Sequence, residues 1–106
     1  MTEGLEAFRL VDARESGRYE IVADAEAEPV AIVDYAMRGE TTVLLMHTEV
    51  RPELEGRGIG TRTARLVVDH VRDSGLKAIV GCPFLTSWLR RHPEEQDILA
   101  RPLRDP

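Results

Sequence analysis

The chain has 106 residues, enough for one domain with one modest core. At 42% apolar and 31% charged residues it has the composition of an ordinary globule, and a formal net charge of −5 argues against non-specific nucleic-acid binding, which needs a basic face. No apolar run is long enough to span a membrane, Met1-Thr2-Glu3-Gly4 starts neither a signal peptide nor a myristoylation motif, and the single cysteine, Cys82, has no partner for an internal disulfide, so a reducing, cytoplasmic setting is expected.

A first strand is expected around Ala7 to Ala13, turning at Glu15-Ser16-Gly17 into a second, Arg18 to Ala23, with Tyr19, Ile21 and Ala23 on one face. Asp24 to Pro29 is an acidic connector. Val30 to Met37 and Thr41 to Val50 are further strands, joined by a hairpin at Arg38-Gly39-Glu40. Val43-Leu44-Leu45-Met46 is apolar on both faces, the pattern of a central strand covered by helices. An amphipathic helix is expected from Gly58 to Ser74, its apolar stripe carrying Ala64, Val67, Val68 and Val71, with Gly75 just past its end. Lys77 to Gly81 reads as a short buried strand. A second helix begins after Pro83, carries Trp88 and Leu89, and stops at His92-Pro93. Glu94 to Ala100 reads as a short helical or irregular tail, with the last residues loose. Strand, glycine loop, helix and strand make a β-α-β unit joined to antiparallel strands: a mixed sheet with helices packed on it, of α+β or mixed α/β type.

The most telling stretch is the one from Thr48 to Thr61, TEVRPELEGRGIGT. A β-rich run ends, a glycine-dense loop follows and a helix begins. Glycines let the backbone turn tightly and approach a ligand closely. Successive free N–H groups and the positive end of the helix then converge on one point, a place for phosphate or pyrophosphate. Thr61 stands where the third glycine of a dinucleotide fingerprint would fall, and the Gly-Lys-Ser/Thr of a Walker loop is absent. Arg51, Arg57, Arg62 and Arg65 gather around this loop.

The residues Glu55-Gly56-Arg57-Gly58-Ile59-Gly60 resemble the acetyl-coenzyme A loop of the GNAT superfamily of N-acetyltransferases, written Q/R-x-x-G-x-G/A. Together with His47-Thr48-Glu49-Val50, Cys82-Pro83-Phe84, Trp88-Leu89 and His92-Pro93-Glu94, they resemble a small single-domain GNAT subfamily, the group of N-acetyltransferase domain-containing protein 1, over about residues 8–100 of a single domain spanning 1–106. The resemblance implies a GNAT-like α+β fold (mixed α/β layers), with a mostly antiparallel central sheet, a splayed strand pair and helices packed on its faces. It implies an acetyl-coenzyme A-dependent N-acetyltransferase acting on a primary amine, either a small amine or a protein lysine, without metal, nucleic-acid or membrane partners. The alternative is a non-catalytic acyl-coenzyme A-binding sensor or accessory module. The oligomeric state stays open and is compatible with a monomer.

The resemblance also assigns places. Pantetheine amides pair with the backbone of Thr48 to Val50, and the pyrophosphate sits on the N–H groups of Gly56, Arg57, Gly58, Ile59, Gly60 and Thr61, with Arg57 and Arg62 as charge partners. Phe84 and Trp88 read first as core, with Phe84 also beside the pantetheine. Cys82 falls beside the reacting thioester, where it takes the acetyl group or protonates the departing thiolate; the plainer reading is a small buried hydrophobe. His47 and Glu49, two apart and so on one face, are the candidates to take a proton from the ammonium. The plainer readings are a half-buried imidazole and a carboxylate paired with arginine. The three histidines have no close acidic or cysteine spacing, which does not suggest a metal site. Two features depart from the family. Glu55 stands where most GNATs carry Gln or Arg, and is expected to point away or cap the helix. The early turns are too short for the two helices that wall the acceptor site, so the acceptor side is expected to be open.

Overall fold

A computed structural model describes residues 7–103. Five strands, β1 (Phe8–Ala13), β2 (Arg18–Ala23), β3 (Ala31–Arg38), β4 (Thr42–Val50) and β5 (Lys77–Val80), form one sheet in the order β1-β2-β3-β4-β5. The first four are antiparallel neighbours and β5 runs parallel to β4. Two helices, α1 (Ile59–Asp73) and α2 (Pro83–Arg91), follow β4 and β5. This is the expected α+β architecture. The readings at Met1-Thr2-Glu3-Gly4 and at the last three residues, 104–106, lie outside the described residues.

Local chemistry accounts for the breaks. Gly17 and Gly39 turn the chain in left-handed conformations, φ 68° and 72°, between strands too close for longer connectors. At the end of α1, Leu76 N–H donates to Val71 O and Gly75 N–H to Arg72 O, while Gly75 holds φ 74°. That is the paired closure that a glycine just past a helix makes possible. Pro83 occupies the first turn of α2, where its missing N–H has no helical partner to lose.

One face of the sheet carries the core. Tyr19, Val33, Tyr35, Val43 and Leu45 of the strands are buried with Ala64, Val67, Val68 and Val71 of α1 and Leu85, Trp88 and Leu89 of α2. The expectation that Val43 to Met46 is covered on both faces holds for one: Met46 is 44% exposed. The tail takes the short helical form among those expected of it. Pro93–Ile98 forms a 3₁₀ segment, Leu99 bridges Ala78, and Ala100 N–H donates to Ala78 O at 2.7 Å. Glu95 accepts from Arg72 at 2.8 Å and pairs with Arg65 at 3.0 Å, tying this segment to α1. Leu103 packs against the core rather than hanging loose.

Thr63 is fully buried on α1 and its hydroxyl has no hydrogen-bond partner among the described residues. A buried unpaired hydroxyl costs about 1–3 kcal/mol. Thr63→Val keeps the side chain's outline and removes that group, so it is expected to raise stability by about 1 kcal/mol, read as a higher urea midpoint at unchanged slope. A lower midpoint would mean that the hydroxyl is satisfied in solution.

Candidate functional site

The site is set by a single extra residue. In the pairing of β3 with β4, Tyr35 faces Leu45 while Asp34 faces His47, so Met46 is left without a partner and forms a β-bulge. The bulge resets the alternation of β4. Val43 and Leu45 point to the helices before it; Thr48 and Val50, opposite the buried Val33 and Ala31, point to them after it. His47 and Glu49 consequently stand on the open face, each about three-fifths exposed, with Nε2 and Oε1 3.7 Å apart.

β4 and β5 separate beside this bulge. Their ladder ends at Leu45 with Val80, and Gly81 N–H closes it on Leu45 O at 2.8 Å. Beyond that point β4 continues to Val50 with only β3 beside it, leaving its other edge unpaired. Cys82 follows Gly81 directly and is 1% exposed. Its Sγ lies 3.0 Å from Thr48 Oγ1, and either atom can donate. The structure therefore brings Thr48 and Cys82 together at the mouth of the splay and puts His47 and Glu49 on the other side of the strand.

The glycine loop completes a groove of about 270 Å³. Thr48 and Val50 form one wall, Gly56, Gly58 and Gly60 the base, and Phe84 of α2 the other wall. Gly56 and Gly58 hold φ 86° and 74°, and a Cβ on either would meet nothing within 4 Å, so their surroundings are open. Gly60 answers a different need: a Cβ there would lie 3.0 Å from Phe84 Cζ, so glycine lets the start of α1 approach α2. Gly58 is the N-cap of α1, and no side chain caps the helix. Arg62 N–H donates to Gly58 O, whereas the N–H groups from Gly56 to Thr61 have no backbone acceptor among the described residues. Such donors at the positive end of a fifteen-residue helix are suited to receive an anion. Ile59 contributes its backbone, since its side chain is buried with Leu54.

The arginines sort themselves by partner. Arg51 is held by Glu53 at 2.7 Å and Glu26 at 2.9 Å, and its hydrogen bonds keep the Glu53 carboxyl below the usual carboxylate range. Arg65 is committed to Glu95, and Arg62 lies over the Phe8 ring at 3.9 Å. Arg57, exposed in the loop itself, forms no ion pair among the described residues. Glu55 neither caps α1 nor leaves the groove, which it lines. Phe84 is half-buried between core and groove, and Trp88 is core. The contact of the Thr48 side chain with Cys82 is what sequence reasoning missed. The available signal was a phase break: the inward apolar positions Val43 and Leu45 are odd-numbered, whereas Val50 is even.

A sheet split beside a bulge, with a glycine-rich loop opening a helix below the gap, is a mixed α/β fold with a groove at the split. A family model described as GCN5-related N-acetyl-transferase matches residues 18–98. Protein NATD1 of Xenopus tropicalis is 35% identical over 66 residues, 62% of this chain and 61% of that protein, and Protein NATD1 of Homo sapiens is 33% identical over 66 residues, 62% and 58%. The matched stretch thus spans about three-fifths of those relatives' length. A GCN5-like protein from Staphylococcus aureus, solved by NMR, superimposes with a TM-score of 0.62 at 27% identity over 86% of both chains. The chain belongs to the GCN5-related N-acetyltransferase family.

Proposed function

We propose that the chain is an acetyl-coenzyme A-dependent N-acetyltransferase acting on a primary amine, with the thioester beside Cys82. One observation carries this reading: a single groove runs from the free N–H groups of the glycine loop to Thr48, which holds Cys82. The pyrophosphate rests on the amides of Gly56 to Thr61, with Arg57 at hand to offset charge. The pantetheine amides pair with the unpaired edge of β4 between Thr48 and Val50, alongside Phe84. The thioester then reaches the splay at Cys82. An amine arriving from the open face loses its proton to His47 or Glu49, directly or through water, and attacks the thioester carbon. The departing thiolate takes a proton from Cys82. In the two-step variant the Cys82 sulfur attacks the thioester carbon while its proton passes to the departing coenzyme A thiolate; the acetyl group then moves from that sulfur to the amine, whose remaining excess proton returns to Cys82.

The connectors Arg14–Gly17 and Asp24–Val30 hold no α-helix, so nothing helical walls the acceptor side there. An open face suits a large acceptor, such as a protein lysine. The same openness motivates the second reading, a non-catalytic acyl-coenzyme A-binding module. Titration of acetyl-coenzyme A followed by intact mass is the first test. No binding at sub-millimolar ligand would sink both readings. Cys82→Ala is expected to lower turnover about a hundredfold or more, roughly 2.7 kcal/mol of transition-state stabilisation, with acetyl-coenzyme A affinity retained. A wild-type protein that binds but acetylates neither small amines nor protein lysines would be the binding module.

A further inference from the structure

At the opposite end of α1 from the glycine loop, a cavity of about 160 Å³ opens between the start of β2, the β3–β4 turn and the last turn of the helix. Asp12 and Glu40 line it with carboxylates, Tyr19 and Tyr35 with their rings, and His70 and Ser74 from the helix. Acetyl transfer as described above uses none of these residues.

Tyr19 is the informative one. It is 1% exposed, its ring stacks on Tyr35 at 4.3 Å, and His70 meets it edge-on at 5.0 Å. Burial raises its pKa first, and Tyr35, Asp12 and Arg14, which line the same cavity, then act on it through their charges. Yet no hydrogen bond engages that hydroxyl among the described residues. Tyr35, by contrast, donates to Asp12 Oδ1 at 2.5 Å. That hydroxyl keeps its contact with solvent and has no protein partner to displace, and the residue that carries it lines a space that a ligand can fill.

Charge selects the ligand. Arg14 offsets one of the two carboxylates, leaving Glu40, and α1 points its negative end this way through Ser74. The residual field is negative. No grouping of His, Cys, Asp and Glu suited to a metal ion occurs among the described residues. The space equals about five water volumes, and Met37 and Leu76 give it apolar walls. We propose that this cavity binds a small primary ammonium ion with a short alkyl chain. Its N–H groups donate to the Glu40 and Asp12 carboxylates and to the Tyr19 hydroxyl oxygen, and its chain lies against Met37 and Leu76.

The proposal does not depend on acetyl transfer and is tested without acetyl-coenzyme A. The full chain, labelled with ¹⁵N, is titrated with n-butylammonium chloride at constant ionic strength, with n-butanol and sodium butyrate as uncharged and anionic controls. Saturable amide shifts are expected at Tyr19, Tyr35, Glu40, His70 and Ser74 with the ammonium alone. Tyr19→Phe, which keeps the ring stack, and Glu40→Gln, at an exposed turn, are each expected to weaken binding about tenfold without changing the melting temperature. Absence of saturable shifts at these residues, equal shifts with n-butanol, or unchanged affinity in both variants overturns the proposal.

Discussion

Gly58→Val is expected to weaken acetyl-coenzyme A binding about a hundredfold or more, roughly 2.7 kcal/mol, while the fold survives. Gly58 is the N-cap of α1 at φ 74°, a left-handed conformation that costs an L-residue about 1–2 kcal/mol and a β-branched one more. A Cβ there meets no protein atom within 4 Å, so no core clash arises. The backbone can leave positive φ, turning the N–H groups of the loop away from their common point. Alternatively it stays, and an isopropyl group stands where those groups converge. Both outcomes remove the anion. Gly60→Ala acts differently, by pushing on Phe84 at 3.0 Å, and is expected to produce a smaller loss because an aromatic ring end can shift. Circular dichroism and calorimetric titration separate binding from folding. An affinity unchanged in Gly58→Val would place the anion somewhere other than this loop.

Much of the fold was legible because its signals are local. Gly75 ends α1 as a glycine past a helix should, and Tyr19, Ile21 and Ala23 lie buried on one side of β2 as period-two alternation requires. The glycine loop was legible for the same reason, since positive φ and close approach are properties that glycine alone supplies cheaply. What escaped the sequence was non-local. Met46 is an ordinary apolar residue, and nothing in its neighbours announces that it has no partner across the sheet. That one residue decides which side chains of β4 face Cys82. Alternation carried on from Leu45 would have turned His47 and Glu49 toward the helices and Thr48 away; the bulge does the reverse. How the short helical tail is anchored was not legible for a related reason. Pro93-Glu94-Glu95 reads as exposed and polar, but its order comes from Arg65 and Arg72 on α1, at least 23 residues earlier in the chain.

Trp88 carries the other large effect: Trp88→Ala is expected to destabilise the domain by about 3–5 kcal/mol, and Trp88→Phe by about 1 or less. The indole is 1% exposed, His92 stacks on it at 4.2 Å, and the Arg65 guanidinium lies 5.1 Å from its ring. Truncation to alanine empties that volume. Phenylalanine keeps most of the contact and also deletes Nε1, a buried N–H without a hydrogen-bond partner among the described residues. Removing an unsatisfied donor returns free energy that offsets the lost indole area. The consequence reaches the site because α2 has only nine residues and, at that length, is held by packing rather than by its own propensity. Cys82 is its N-cap and Phe84 its second residue, so a loosened α2 shifts both the thiol beside Thr48 and the far wall of the groove. Urea unfolding and acetyl-coenzyme A affinity, measured on both variants at a temperature where each is folded, should therefore fall together in Trp88→Ala and stay near wild type in Trp88→Phe. Equal damage from the two substitutions would mean that the indole N–H has a partner in solution and that this hydrogen bond, rather than the packed ring, holds α2 in place.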